Sequence, residues 1–61
     1  MILKIYEKSN SMPIIVFCGA TWVWEREKKK ITVWYEHVSF EYPCKAMGEN
    51  EAGTIAYAYG R

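Results

Sequence analysis

The sequence offers few groups on which chemistry could be built. It holds one histidine and two cysteines, and neither Cys18 nor Cys44 sits in a C-x-x-C or related spacing. A zinc site completed by His37 therefore lacks its usual signature. The four glycines are scattered, which leaves no glycine-rich loop to cradle a phosphate. Nothing marks an orienting group or an oxyanion hole for a Cys–His nucleophilic pair at Cys44 or His37. Glu49 and Glu51 come without the further oxygen ligands a calcium loop needs. The chain reads as non-enzymatic, with no metal and no cofactor.

Other absences bear on location and partners. The net charge is +1, so no global field draws nucleic acid or an anionic membrane. The longest apolar run, IIVFCGA, is far short of the ~20 residues that span a bilayer. The opening MILKIYEK has neither the apolar core nor the cleavage site of a secretory leader. Two cysteines allow one disulfide at most, and Cys18 in IIVFC reads as a buried free thiol. Free thiols and a reducing, cytoplasmic setting are expected.

What the chain does have is β character. Its 61 residues include three Trp, five Tyr and two Phe, and β-branched residues are dense with no long 3.6-residue stripe. One small domain over residues 1–61 is expected, of a size that buries only about 60% of its unfolded surface and often needs help from oligomerisation. An N-terminal strand is read at about 2–7, closed by the polar turn SNSMP. Pro13 then opens an apolar stretch through Ile14–Cys18 and, past Gly19, Thr21–Glu25. A third β region runs over 31–42, the segment PCKAMGENEAG reads as a loop, and a last strand occupies about 54–59.

The stretch ATWVWEREKKKITVWYE sets the central pairing. With Glu27–Lys30 as a four-residue tip, opposed positions sum to 57, placing Trp24 against Val33, Trp22 against Tyr35 and Phe17 against Phe40. The apolar parity then switches at Gly19–Ala20 on one side and at Glu36–His37 on the other. Side chains alternate along a strand, so coincident switches describe one long ribbon whose halves bury opposite faces, bent at Gly19. The alternative makes Gly19-Ala20 a tight hairpin turn, with Phe17 against Trp22. The favoured fold is mostly β: a small antiparallel sheet or partly open barrel of about four to five strands built on one long bent β-hairpin over 13–42.

Fourteen extended residues reach roughly 46 Å, against a radius of gyration of about 10–11 Å for a compact chain of this length. The distal face of Trp22, Trp24, Ile31, Val33 and Tyr35 must then turn a barrel corner or pack on another chain, and a homodimer built on this arm is expected. The remaining candidates are contacts. Trp34 falls on the opposite, mostly polar face and suits a binding anchor. Arg26, Lys28, Lys29 and Lys30 make a basic tip, which is either a solvated hairpin end or a site for an acidic or phosphate-bearing partner. Tyr57 is read as core, and Tyr59 as a possible contact near the chain end. The leading function is a protein-binding module, of the kind a phage or mobile element uses as an accessory protein to inhibit a host enzyme or defence system. The other is a small single-stranded nucleic-acid-binding protein using an aromatic-basic hairpin face.

Overall fold

The structure, a computed structural model, describes residues 1–8 and 12–61; Ser9–Ser11, within the expected SNSMP turn, lie outside the described residues. Seven strands and no helix make up those residues: β1 (Ile2–Tyr6), β2 (Ile15–Cys18), β3 (Thr21–Glu25), β4 (Lys30–Tyr35), β5 (Val38–Pro43), β6 (Ala46–Glu49) and β7 (Ile55–Tyr59). They form a four-stranded sheet in the order β2-β1-β7-β6 and a three-stranded sheet in the order β3-β4-β5. The mostly-β class and the terminal strands are as expected from the sequence. β1 and β7 run parallel, in register from Ile2 opposite Ile55 to Tyr6 opposite Tyr59. Every other pairing is antiparallel.

The sheets stack to enclose one core. Leu3, Ile5, Phe17, Ala56 and Ala58 come from the four-stranded sheet and Ile31 and Val33 from the three-stranded one, with Ala20 and Cys44 buried at the crossings between them. Ile15, Trp22, Trp24, Tyr35, Phe40, Tyr42 and Met47 pack around these. Phe17 sits at the aromatic centre, with ring centroids 5.5 Å from Phe40, 5.7 Å from Tyr35 and 6.2 Å from Tyr42. The sheets are joined by two short corners, a usual device for passing a strand from one layer to the next. At the first, Gly19 takes φ +77° between β2 and β3, a conformation open to glycine at little cost.

Cys44 makes the second corner, between β5 and β6. Its amide donates to the Lys29 carbonyl at 2.8 Å, its carbonyl accepts from the Trp24 indole at 3.2 Å, and its thiol donates to the Ala46 carbonyl at 3.2 Å. One fully buried residue thus ties the β3–β4 tip to the start of β6, and burial pushes its thiol pKa up. Across the molecule, Asn50 closes the β6–β7 turn. Its side-chain oxygen accepts from the amides of Thr54 at 2.9 Å and Ile55 at 3.0 Å.

Several expectations are corrected here. The long hairpin over 13–42 is not formed, because β2 pairs with β1 and not with β5. Nor do β2 and β3 make a hairpin at Gly19-Ala20, since they lie in different sheets. The first parity switch is the sheet-to-sheet corner, bent at Gly19 as foreseen. The second is a two-residue turn, with Glu36 at φ +50° and His37 at φ +67°, joining β4 to β5 through the Tyr35–Val38 pair. Positive φ at both central positions is the twist that suits a tight hairpin.

The arm therefore has no overhang. The chain spans 30 × 27 × 19 Å with a radius of gyration of 10.6 Å, and Trp22, Trp24, Ile31, Val33 and Tyr35 all belong to its own core. Tyr57 is not core: Ala56 and Ala58, which alternate with it, are the buried side of β7. Cys18 is exposed, not buried, because Phe17 beside it holds the inward position.

Candidate functional site

Strand alternation gives each sheet an outer face, and the registers fix its rows. On the four-stranded sheet one row is Cys18, Ile2 and Ile55, the next is Val16, Lys4, Tyr57 and Gly48, and the third is Tyr6, Tyr59 and Ala46. Lys4 is the only charged side chain among them, and there is no carboxylate. An antiparallel or mixed sheet with one face on the core ordinarily turns polar residues to water on the other. This face does not follow that pattern.

The tyrosines form one cluster. Tyr6 and Tyr59 are cross-strand neighbours with ring centroids 5.1 Å apart and planes 24° from parallel, and Tyr57 lies 6.2 Å from Tyr6. Rings lying flat and side by side on a sheet cannot bring their centroids that close, since their edges would collide. Tyr6 and Tyr59 instead pack face against face, in the offset arrangement aromatic pairs favour. One face of each ring is thereby used.

Lys4 stands in the middle row between Val16 and Tyr57. The ion pairs among the described residues are Lys28–Glu25, Lys30–Glu41 and Arg61–Glu7, and none includes it. Its aliphatic stem can lie along the apolar surface while the ammonium reaches water. The face thus combines tyrosine rings, aliphatic rows and one positive charge at its centre.

The residues singled out from sequence fall in three places. Trp34 is 46% exposed on the outer face of the three-stranded sheet, in the row Thr21, Trp34 and Ser39, with Val23 diagonal to it. Arg26, Lys28 and Lys29 occupy the β3–β4 tip, where Lys28 pairs with Glu25 at 3.2 Å. Lys30 is a strand residue, closing the tip opposite Glu25 and bonding Glu41 at 2.7 Å on the next strand. That hydrogen bond and the adjacent charge raise the Lys30 pKa and lower that of Glu41. Tyr59 lies on the other sheet. The basic tip is thus partly neutralised from within, and Trp34 and Tyr59 cannot share one contact.

Sequence reasoning missed Lys4, Tyr6, Val16 and Tyr57 as a group. The signal was present as matching period-2 patterns in ILKIY and IAYAY, but only the parallel pairing of the two chain ends sets them side by side. His37 lies on the tight turn, Cys44 in the core and Cys18 on an edge strand, and no three His, Cys, Asp or Glu side chains gather to hold a metal among the described residues. A recess of about 230 Å³ has Ile5, Glu7, Tyr42, Pro43, Gly60 and Arg61 among its lining residues. It falls below the ~300 Å³ at which small-molecule sites begin. No described helix is long and apolar enough to cross a membrane. Compared with protein-family models, with curated proteins and with solved structures, the chain finds no match.

Proposed function

We propose that the chain is a non-enzymatic protein-binding module whose contact surface is the outer face of the four-stranded sheet. The observation that carries this reading is the composition of that face: Tyr6, Tyr57, Tyr59, Ile2, Ile55 and Val16 around the single charge of Lys4. Aromatic residues over an apolar patch are what interface centres are enriched in, and an apolar partner surface rewards the burial of isoleucine and valine. No ion pair among the described residues includes Lys4, so a matching partner brings an acidic side chain to it. The small size fits an accessory protein of a phage or mobile element, acting in the cytoplasm to inhibit a host enzyme or defence system.

The nucleic-acid reading is weaker on the same geometry. Stacking needs open ring faces, whereas Tyr6 and Tyr59 spend one face each on the other. Phosphate contact needs unpaired cations, whereas two of the tip's four, Lys28 and Lys30, are paired with glutamates.

A photo-crosslinking amino acid placed at Tyr57 and, separately, at Trp34 tests the proposal in cells. The expected result is a discrete protein adduct from position 57, absent from position 34 and reduced at least tenfold when Lys4→Glu is added. Equal adducts from both positions, or none from 57, would overturn it. Labelled single strands that bind the purified protein with salt-sensitive anisotropy, and lose binding on Tyr57→Ala, would replace it with the nucleic-acid reading.

A further inference from the structure

Each sheet has two edge strands, and three of the four carry a charge within them: Glu25 in β3, Glu41 in β5 and Glu49 in β6. Edge charges are a usual guard against pairing with another chain. β2 has none. From Ile14 to Gly19 it reads IIVFCG, with no charge and no proline inside the strand, and Val16 is 46% exposed.

The phase of the β1–β2 ladder shows which backbone groups this edge leaves free. The Gly19 amide donates to the Met1 carbonyl at 3.1 Å, one step beyond the Ile2–Cys18 pair. Since bonded and non-bonded pairs alternate in an antiparallel ladder, Phe17 bonds Leu3, and Val16 and Cys18 turn their amides and carbonyls away from β1. No other backbone group among the described residues bonds to them. Two N–H and two C=O groups therefore stand in a row on an apolar, uncharged edge.

We propose that β2 pairs antiparallel with β2 of a second copy of this chain, joining two four-stranded sheets into one of eight strands. One register satisfies all four free groups. Val16 exchanges both bonds with Cys18 of the second copy, Cys18 does the same with its Val16, and Phe17 faces Phe17 across the two-fold axis. The self-complementary pattern, with no charge to meet its own image, favours a second copy over a foreign strand. The two-fold stands perpendicular to the sheet, so both tyrosine faces look the same way. One face measures about 19 by 17 Å, roughly 320 Å², against the ~800 Å² per partner of a standard interface. Joining two brings the platform toward that size. The inference adds self-association to the binding reading, and it is read on the purified protein alone.

Two variants test it, beside the wild type in sedimentation velocity from micromolar to near-millimolar protein. The wild type is expected to show a concentration-dependent monomer–dimer equilibrium. Val16→Pro removes an N–H that plays no part in the β1 ladder and should weaken the dimer at least tenfold. Val16→Cys sets a thiol opposite Cys18 of the second copy at a Cα separation of about 5.5 Å, inside the roughly 4.4–6.8 Å range of disulfides. Under oxidised glutathione it should give a covalent dimer, and Val16→Cys with Cys18→Ser should not. A wild type that stays monomeric throughout, together with no excess crosslink over that control, overturns the inference while leaving the crosslinking test at Tyr57 untouched. A dimer that Val16→Pro leaves intact, with its circular dichroism unchanged, also overturns it.

Discussion

The two sheets are made differently and finish differently. The three-stranded sheet is one continuous piece of chain, Thr21–Pro43, folded by a four-residue tip and a two-residue turn. The four-stranded sheet is assembled from both chain ends, with β1 beside β7 across more than fifty positions of sequence. The local sheet turns Thr21, Thr32, Ser39, Glu25, Lys30 and Glu41 to solvent, the conventional polar finish around Trp34 and Val23. The non-local one turns tyrosines and aliphatics outward around Lys4. A domain this small has little apolar material to spare, so leaving so much outside one sheet is informative. A polar finish explains itself as a boundary with water, and an apolar one asks for a partner.

The sharpest way to break this comparison is to ask whether the sheets are one unit. Ile31 in β4 and Ile5 in β1 are both fully buried and face each other's sheet. Truncating either to alanine should cost about 2–5 kcal/mol, out of a total of roughly 3–9 kcal/mol for a domain of this length. If the core is shared, Ile31→Ala and Ile5→Ala lower the same single denaturation transition. Two separate transitions, with each variant moving only one, would show that the local sheet stands without the other.

A smaller effect sharpens the contrast between the outer faces. Tyr6→Ala removes a stacked partner from Tyr59 and should cost about 0.5–1.5 kcal/mol beyond the lost burial. Trp34 has no ring partner among the described residues, so Trp34→Ala should stay within about 0.5 kcal/mol. Urea denaturation of both variants measures the difference. A larger loss at Trp34 would mean that the polar sheet, not the apolar one, leans on its outer aromatic.

Much of the molecule was legible from sequence wherever local alternation carried the information. The bounds of β1, β3 and β7 fall within a residue of expectation, and Trp22, Trp24, Ile31 and Val33 share a face as read. That face survived a wrong register. Opposed residues of β3 and β4 sum to 55, as in Trp24 opposite Ile31, and not to 57, because the tip is residues 26–29. A shift of two keeps every side chain on its side. The β4–β5 turn was hidden because Glu36 and His37 adopt positive φ without the Asn-Gly signature. β6 was hidden because Ala, Gly and Glu are poor strand formers, and AMGE becomes a strand only by pairing with β7. The tyrosine face required knowing that the chain ends lie side by side, which no local pattern states.

The smallest expected effect lies in the Lys30–Glu41 ion pair, which crosses strands on the polar face. Glu41 is held below the ordinary carboxylate range by the Lys30 hydrogen bond and then by its charge, and Lys30 is raised in turn by Glu41. A lowered carboxylate pKa adds stability above its unfolded value near 4.5, which is lost as pH falls through the folded value. A raised lysine pKa adds stability below its unfolded value of 10.5, which is lost as pH rises through the folded value. The difference between wild type and Glu41→Gln should therefore be flat through neutral pH and close at both extremes. Because the pair is exposed, the difference is small and should shrink further in molar salt. The outer face of the four-stranded sheet has no carboxylate to take part in such a cycle. A difference that persisted at acid pH or in high salt would mean that Glu41 acts through packing, and the polar face would then not be the plain solvent boundary that its composition describes.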